Sequence, residues 1–490
     1  MRRPNILYIM ADDHTSQAWG CYGSRLAPYI STPTIDRLAA EGARLTNCFC
    51  TNSICVPSRA TILTGQYSHT NGVRTLADAL DPECDSVAKR AQAAGYATAI
   101  IGKWHLVTEP AGFDYFNVLH GQGRYHDPIL WEKGQSWGDE GTVHRGHSTD
   151  VITDLTLDWL QNARTKEKPF LCMCHFKATH EPFTSHDRYR RLYEDVVFPE
   201  PEDLLWESSP RAKVFDGWPL EKTFMRRCLE HPADYAPPVL KVDGLDAPAA
   251  RRATYQKLVR DFMRTAAGID DNIARLLGYL DWAGLADDTV VIYTSDQGFF
   301  LGEHNLFDKR FMLEESLRMP FVIRYPREIH PGTVMDDIVT NVDFAALLLD
   351  YAGSVVPAAM QGRSFRENLR GATPADWPTA MYYHYWTPDQ PVRPSHYGIR
   401  TREHKLIYYY GLVRDAGRSR DECWELYDLV RDPFELTNRY TDAAYEARIA
   451  ELRGRLDALR RRCGDTADPV TTYPASHGNR PIRGGGERQG

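Results

Sequence analysis

At 490 residues the chain is too long for one small core, and its 42% hydrophobic and 25% charged content describes an ordinary soluble globule. A net charge of -8 argues against a non-specific nucleic-acid binder, which is normally basic, while leaving room for a local cationic pocket. Ten cysteines over this length are no disulfide scaffold, no apolar run reaches transmembrane length, and Met1-Arg2-Arg3-Pro4 leads into a short strand rather than a signal-peptide core, so the expected location is cytoplasmic.

Ile6 to Met10 is a continuous apolar run, the pattern of a strand buried on both faces, and Asp12-Asp13-His14 follows its carboxyl end. Two adjacent carboxylates repel each other, so a buried pair needs a cation; a solvated turn is the plain alternative. Thr34 to Leu45 reads as a short helix. Cys55-Val56-Pro57-Ser58-Arg59, continuing to Leu63-Thr64-Gly65, reads as a turn that opens a helix, with Pro57 suited to the first helical position and Gly65 to its end. Cys55 then lies where free N–H groups and the helix dipole welcome an anion, with Arg59 one turn on along the same face. A buried structural cysteine is the bland reading of the same residues.

Tyr96 to Ile101 is a second strand, ending in Gly102-Lys103-Trp104-His105. Lys103 and His105 share a side of an extended segment and could hold an anion and move a proton. Residues 106–147 read as long loops, Asp150 to Ala163 as a helix, and Pro169 to Phe176 as a third strand running out into Lys177-Ala178-Thr179-His180. Residues 184–250, rich in prolines and charges, read as an excursion across the surface. A long helix follows through Leu258, Phe262, Ile269, Ile273, Leu276 and Leu280, with Asp270 and Asp271 expected on its outer face. Val290 to Thr294 is a fourth strand that ends in Ser295-Asp296-Gln297-Gly298, with Lys309 eleven residues further on. Pro320 to Tyr325 reads as a strand and Asn341 to Tyr351 as a helix. The C-x-C pairs Cys48/Cys50 and Cys172/Cys174 read as buried thiols rather than a zinc site.

The texture changes near residue 376. Met381 to Trp386, Lys405 to Tyr410 and Trp424 to Asp428 are aromatic-rich strands, and Tyr440 to Cys463 is a charged helix. The expected class is α/β: a large mixed, mostly parallel sheet flanked by helices over 1–375, a smaller C-terminal antiparallel sheet plus helix over 376–465, and an irregular tail over 466–490 containing Gly484-Gly485-Gly486. Four apolar strands end in Asp12/Asp13, Lys103/His105, His180 and Asp296/Gln297. Sites of open α/β sheets gather beyond the carboxyl ends of their strands, so these groups are expected to converge. Asp12, Asp13, Asp296 and Gln297 form an all-oxygen set, which suits a hard cation such as Ca²⁺, with Mg²⁺ as the alternative.

The run C-x-P-S-R followed by L-T-G resembles the signature of the type I sulfatases, of the alkaline-phosphatase-like superfamily. Trp424 to Asn438, W-E-L-Y-D-L…D-P-x-E-x-x-N, is similar to bacterial sulfatases acting on carbohydrates. The resemblance implies that Cys55 is oxidised to formylglycine by a formylglycine-generating enzyme, which reads Pro57 and Arg59. It implies that the hydrate attacks the sulfur of a sulfate ester, forming a covalent sulfo-enzyme. Asp12, Asp13, Asp296, Gln297 and modified Cys55 would hold the metal. Gln297 departs from the family, where Asn or His is commoner. Arg59, Lys103, His105, His180 and Lys309 match positions that bind sulfate or handle protons, with His180 as acid and His105 as base.

The substrate remains open at this stage. His120, Arg124, His126, Trp131, His384, Trp386 and His396 are the candidates for a saccharide pocket. A phosphodiester or phosphonate monoester hydrolase of the same superfamily is the competing enzyme, and a non-catalytic sugar-sulfate binder the competing non-enzyme. The expected partners are a sulfated small molecule or saccharide, with no nucleic acid and no membrane; the oligomeric state is not readable.

Overall fold

The computed structural model describes residues 3–206, 218–386 and 393–472, without the side chains of 414–416. These residues divide into two compact units, 3–206 with 219–381, and Trp218 with 382–472. The first is built on a ten-stranded sheet. Its strands, in chain order, are β1 Asn5–Ala11, β2 Ala43–Leu45, β3 Ala97–Gly102, β4 Tyr115–Leu119, β5 Ile129–Glu132, β6 Thr142–Val143, β7 Phe170–His175, β8 Thr289–Ser295, β9 Phe321–Arg324 and β10 Thr333–Met335. They lie side by side as β10-β2-β9-β8-β1-β7-β3-β4-β5-β6. The central run from β8 to β4 is parallel, and β9, β5 and β6 are antiparallel to their neighbours.

Alternation along β1 explains the two cores. Leu7, Ile9 and Ala11 join one apolar cluster, while Ile6, Tyr8 and Met10 join another on the opposite face. The first face is covered by α1 Pro33–Glu41, α3 Ser148–Asp158 and α4 Ala247–Trp282. The second is covered by α2 Cys55–Thr64 and α5 Phe344–Tyr351, the latter entered through a 3-10 turn at Asn341–Asp343. Helix α4 is capped by Asp246, whose carboxylate accepts from the Ala249 N–H at 2.8 Å.

Several local expectations need correction. The helix expected over Thr34 to Leu45 ends at Glu41, and 43–45 is β2. Gly42 makes the change possible, because a Cβ there would lie 2.1 Å from the Ile323 carbonyl oxygen of β9. Residues 106–147 are not all loop: they hold β4, β5 and β6, short strands that complete one end of the sheet and whose mixed residues hide the alternation. The excursion 184–250 buries Phe198, Leu204, Leu220 and Phe224 in the first core. Asp270 is not on an outer face. It is 2% exposed and accepts from the N–H groups of Thr34 and Ile35 at 3.1 and 2.9 Å, capping α1 from α4. Asp271, beside it, is exposed and accepts from the Tyr189 hydroxyl at 2.5 Å.

From residue 382 on, the second unit carries a four-stranded sheet in sequence order, its first strand beginning two residues earlier: β11 Ala380–Tyr385, β12 His396–Thr401, β13 His404–Tyr408 and β14 Trp424–Asp428. Strands β12–β13 and β13–β14 pair antiparallel, and α6 Glu446–Cys463 buries Leu452, Leu456 and Leu459. Strand β12 was absent from the sequence reading. Of the expected tail, Pro469–Thr472 forms a helical turn, and 473–490, with the glycine run, lie outside the described residues. The cysteines of both C-x-C pairs are free and buried. Among the described residues no helix is long and apolar enough to cross a membrane.

Candidate active site

Four central strands deliver their polar ends to one rim of the sheet. Strand β1 runs out into Asp12 and Asp13, and Asp13 turns the chain with φ 67 so that its N–H meets the Asp296 carboxylate at 3.1 Å. Strand β8 delivers Asp296 and Gln297, β3 delivers Lys103, and β7 leads to Lys177 and His180. Helix α2 supplies Cys55 as its first residue; Gly65, at φ 62, ends it with an N–H bond to the Thr61 carbonyl at 2.8 Å. Ser58 Oγ donates to the Asp296 carbonyl and accepts from Asn341 Nδ2 at 2.9 Å, tying α2 to the end of β8.

Asp12, Asp13 and Asp296 are buried and bring one carboxylate oxygen each within 4.8 Å of one another. Each is matched by a buried cation. Lys103 Nζ donates to Asp12, Lys309 Nζ lies 2.7 and 2.6 Å from the oxygens of Asp13, and Arg59 Nε donates to Asp296 Oδ2 at 2.9 Å. Burial would raise all three carboxyls. At Asp12 that is outweighed by Lys103, His180 and Arg59, which hold it well below the carboxylate range. Burial wins at Asp13, pushed up to about 6 against Lys309, and at Asp296, pushed up to about 7 with help from Asp12.

This donor set fits a hard divalent cation. The oxygens are anionic and convergent, and Gln297 adds a further one: its Oε1 is buried without a hydrogen-bond partner while its Nε2 lies 2.5 Å from Asp13 Oδ1. Rotating the amide by half a turn would bring that oxygen to the carboxylates, an arrangement that requires a cation among them.

Cys55 is 1% exposed, with Sγ 3.5 Å from Asp12 Oδ1 and 3.7 Å from Gln297 Nε2. Burial, then Asp12, pushes its thiol up to about 12, so it is not a thiolate nucleophile as it stands. Arg59 does not face solvent: it is 2% exposed and also donates to the Lys103 carbonyl at 2.8 Å.

His180 Nδ1 donates to the Glu181 carbonyl at 2.8 Å, which turns Nε2 toward the cluster, 3.9 Å from Asp13 Oδ2. Arg227 and the Tyr235 hydroxyl grip the Glu181 carboxylate and so fix this loop from the 219–235 segment. His105 does not continue an extended run from Lys103. It has φ 56, its Nδ1 is buried without a partner, and burial, then Lys103, holds it well below the usual histidine range. Burial and Lys103 depress His180 likewise.

Two neighbours escaped the sequence reading. Gln122, from the β4–β5 loop, accepts from Lys103 Nζ at 2.6 Å. Lys177, 3% exposed, donates to the Gln122 carbonyl at 3.1 Å, and burial, then Lys103, pushes its ammonium down to about 7.

The expected saccharide contacts divide by location. His120, Arg124 and His126 stand exposed on the loop that carries Gln122, His120 with its ring 4.4 Å from Trp131 and His126 with its ring 5.3 Å from His147. Trp131 is buried and donates to the Asp139 carbonyl at 2.6 Å. His384, Trp386 and His396 are 1%, 6% and 0% exposed in the second unit. His384 bonds Asp465 at 2.6 Å and the Tyr410 hydroxyl at 3.0 Å and stacks on Trp386 at 3.6 Å; His396 donates to the Pro394 carbonyl at 2.8 Å. Their expected role as sugar contacts is therefore corrected to interior packing, since a buried ring offers a sugar no face.

The sulfatase family model matches residues 4–354, which contain every cluster residue described above. The chain belongs to the sulfatase family. A second model, N-sulphoglucosamine sulphohydrolase, C-terminal, matches residues 302–462 of this sulfatase. Over 96% of its length it is 40% identical to an N-acetylglucosamine-6-O-sulfatase of Bacteroides thetaiotaomicron, covering 88% of that protein. Its fold matches the solved structure of BT4656 in complex with its substrate D-glucosamine-2-N,6-O-disulfate, with a TM-score of 0.87, 39% identity, and 96% and 100% of the two chains covered. The phosphonate monoester hydrolase of Agrobacterium radiobacter shares the fold at 21% identity and a TM-score of 0.71, with 96% and 97% covered. A sulfatase is a sulfuric ester hydrolase, and the competing hydrolase reading is the more distant one.

Proposed function

We propose that this sulfatase removes the 6-O-sulfate of a glucosamine unit in a sulfated saccharide, using Ca²⁺ and a formylglycine made from Cys55 by a maturation enzyme. The observation that carries the substrate is the 40% identity, spread over 96% of the chain, to an enzyme named for that reaction. The cation at Asp12, Asp13, Asp296 and Gln297 would polarise the sulfate oxygens, and a formylglycine hydrate would supply the attacking hydroxyl.

The chain's own residues supply the rest. Lys103 and Lys309 place ammonium groups beside Asp12 and Asp13, where charge accumulates on sulfate oxygens. Arg59 keeps Asp296 and the Lys103 carbonyl in place beneath residue 55. His180 presents Nε2 to the site, with Nδ1 committed to the Glu181 carbonyl; as the imidazolium, the form that a bound sulfate ester's negative charge favours, it would protonate the leaving sugar oxygen. His105, with Nδ1 unpartnered, is the base that takes a proton at residue 55 when the sulfate is released.

A desulfation screen tests this reading. N-acetylglucosamine-6-sulfate and glucosamine-2-N,6-O-disulfate should release sulfate, and the 3-O-sulfated isomers should not. Faster turnover of an aryl phosphodiester or a phosphonate monoester would transfer the protein to the competing class.

A further inference from the structure

We propose that Lys177 is a sulfate-binding side chain of this site, a cationic contact in addition to Lys103 and Lys309. The assignment rests on the sulfatase reading and starts from strand parity. On β7, Met173 lies in the core shared with Met10 and α2, whereas Phe176 lies in the opposite core with Ala11. The Phe176 N–H still bonds the Met10 carbonyl at 2.8 Å, so the alternation persists past the strand end. Lys177 therefore emerges on the α2 face, the face of Cys55 and Asp12, at the level where β1 gives way to its carboxylates.

Its charge is unbalanced there. Lys103, Lys309 and Arg59 each have a carboxylate partner. Lys177, equally buried, has the Gln122 carbonyl at 3.1 Å and the Tyr125 ring centre at 4.8 Å, and among the described residues no carboxylate pairs with it. Burying that ammonium is costly and Lys103 repels it, while Asp12 and Asp13 attract it only from beyond ion-pair distance and are already taken by Lys103 and Lys309. Gln122 holds both lysines, Lys177 through its carbonyl and Lys103 through its side chain at 2.6 Å. Two ammonium groups are thereby clamped on one residue beside Cys55. An oxyanion arriving there supplies the missing counter-charge, with charge-assisted hydrogen bonds to both.

The alternative role is a tether that merely anchors the 120–126 loop. Lys177→Gln separates the two, because a side-chain amide can still donate to the Gln122 carbonyl but carries no charge; Lys177→Arg keeps the charge. The probe is inorganic sulfate, read as competitive inhibition of aryl sulfate turnover by the metal-loaded enzyme, and independently as the rise in melting temperature that sulfate confers. Lys177→Gln should weaken sulfate binding about tenfold or more by both readings, with Lys177→Arg close to wild type. If Lys177→Gln responds to sulfate as the wild type does, Lys177 is a tether and the assignment falls, while the sulfatase reading stands. If the wild type is itself indifferent to sulfate, the assignment falls, and the sulfatase reading is decided separately by sulfate release in the desulfation screen. Should Lys177→Gln fail to fold, the decision passes to Lys177→Met and Lys177→Arg: weakened sulfate binding in the former and retained binding in the latter support the assignment, and equal binding in both overturns it.

Discussion

The Lys309 ammonium lies 2.6 and 2.7 Å from the two carboxylate oxygens of Asp13, while Lys103 bonds Asp12 and Arg59 bonds Asp296 and reaches Asp12 at 3.6 Å. Three carboxylates that would repel one another are thus balanced by three cations from three different parts of the chain. The carboxylates have cationic partners before any metal binds. Chelation should therefore abolish turnover and lower the melting temperature while leaving the far-ultraviolet circular dichroism unchanged. The stability lost is what saturating metal supplies, about 2.7 kcal/mol at a hundredfold excess over Kd. Added Ca²⁺ should restore activity. Global unfolding on chelation would show that the three ion pairs do not suffice.

Cys55→Ala should reduce sulfate release by roughly 10⁶-fold, the scale seen when a catalytic nucleophile is deleted. The thiol bonds Asp12 and the Gln297 amide weakly, and a methyl group leaves the start of α2 intact, so the melting temperature should stay within a few degrees of wild type. The mass of the peptide carrying residue 55, from a host with the maturation enzyme, checks the companion claim that active protein carries formylglycine. Residual activity above a trace in Cys55→Ala would remove residue 55 from the chemistry.

Gln297 holds the one neutral oxygen of the donor set. Gln297→Ala should weaken metal binding less than Asp296→Ala, because it removes no anion and leaves the three carboxylates in place. Asp296→Ala also takes from buried Arg59 its nearer carboxylate, leaving only Asp12 at 3.6 Å, a loss of at most about 3–5 kcal/mol on the scale of broken buried pairs. Calorimetric Ca²⁺ titration of the two variants gives the order. A larger effect at Gln297 would place the cation nearer that amide than the carboxylates.

The parts of the site legible in the sequence were those at the ends of apolar strands. Asp12, Asp13, Lys103 and Asp296 each interrupt a hydrophobic run, and a buried strand must end where such residues begin. Lys177 stands at the end of a strand too, but a lysine there reads as a solvated terminus, and only its missing counter-ion marks it. Gln122 has no signal of its own: it lies in a loop, twenty residues past Gly102, and meets Lys103 through the β3–β4 pairing. Asp270 misled because helical periodicity assigns one buried stripe, whereas α4 packs against α1 and α3 and is buried around much of its circumference. Strand β12, His396–Thr401, includes glycine and arginine within a buried run and shows no alternation to read.

Asp270→Ala tests that cap. Two N–H groups at the start of α1 lose their acceptor in an interior where water cannot replace it, so stability should fall by about 2 kcal/mol. Denaturant unfolding measures the loss. Sulfatase activity of the folded variant should be unchanged, since Asp270 lies on the face of the sheet away from α2. An unchanged midpoint would mean that the α1 terminus finds other partners.

The last test concerns His180. Its Nδ1 is committed to the Glu181 carbonyl at 2.8 Å, and the Glu181 carboxylate is itself gripped by Arg227 and Tyr235, so the ring is held with Nε2 toward the site. A sugar alkoxide is a poor leaving group and needs a proton as the S–O bond breaks; a nitrophenolate needs little help. General acid catalysis typically contributes ~10²–10⁴-fold. His180→Ala should therefore lose activity on that scale against a 6-O-sulfated glucosamine and far less against 4-nitrophenyl sulfate. The ratio of the two losses is the readout, and it is insensitive to partial misfolding, which lowers both rates together. Equal losses on the two substrates would remove the acid role and leave His180 as a group that binds sulfate or holds the loop before Pro182.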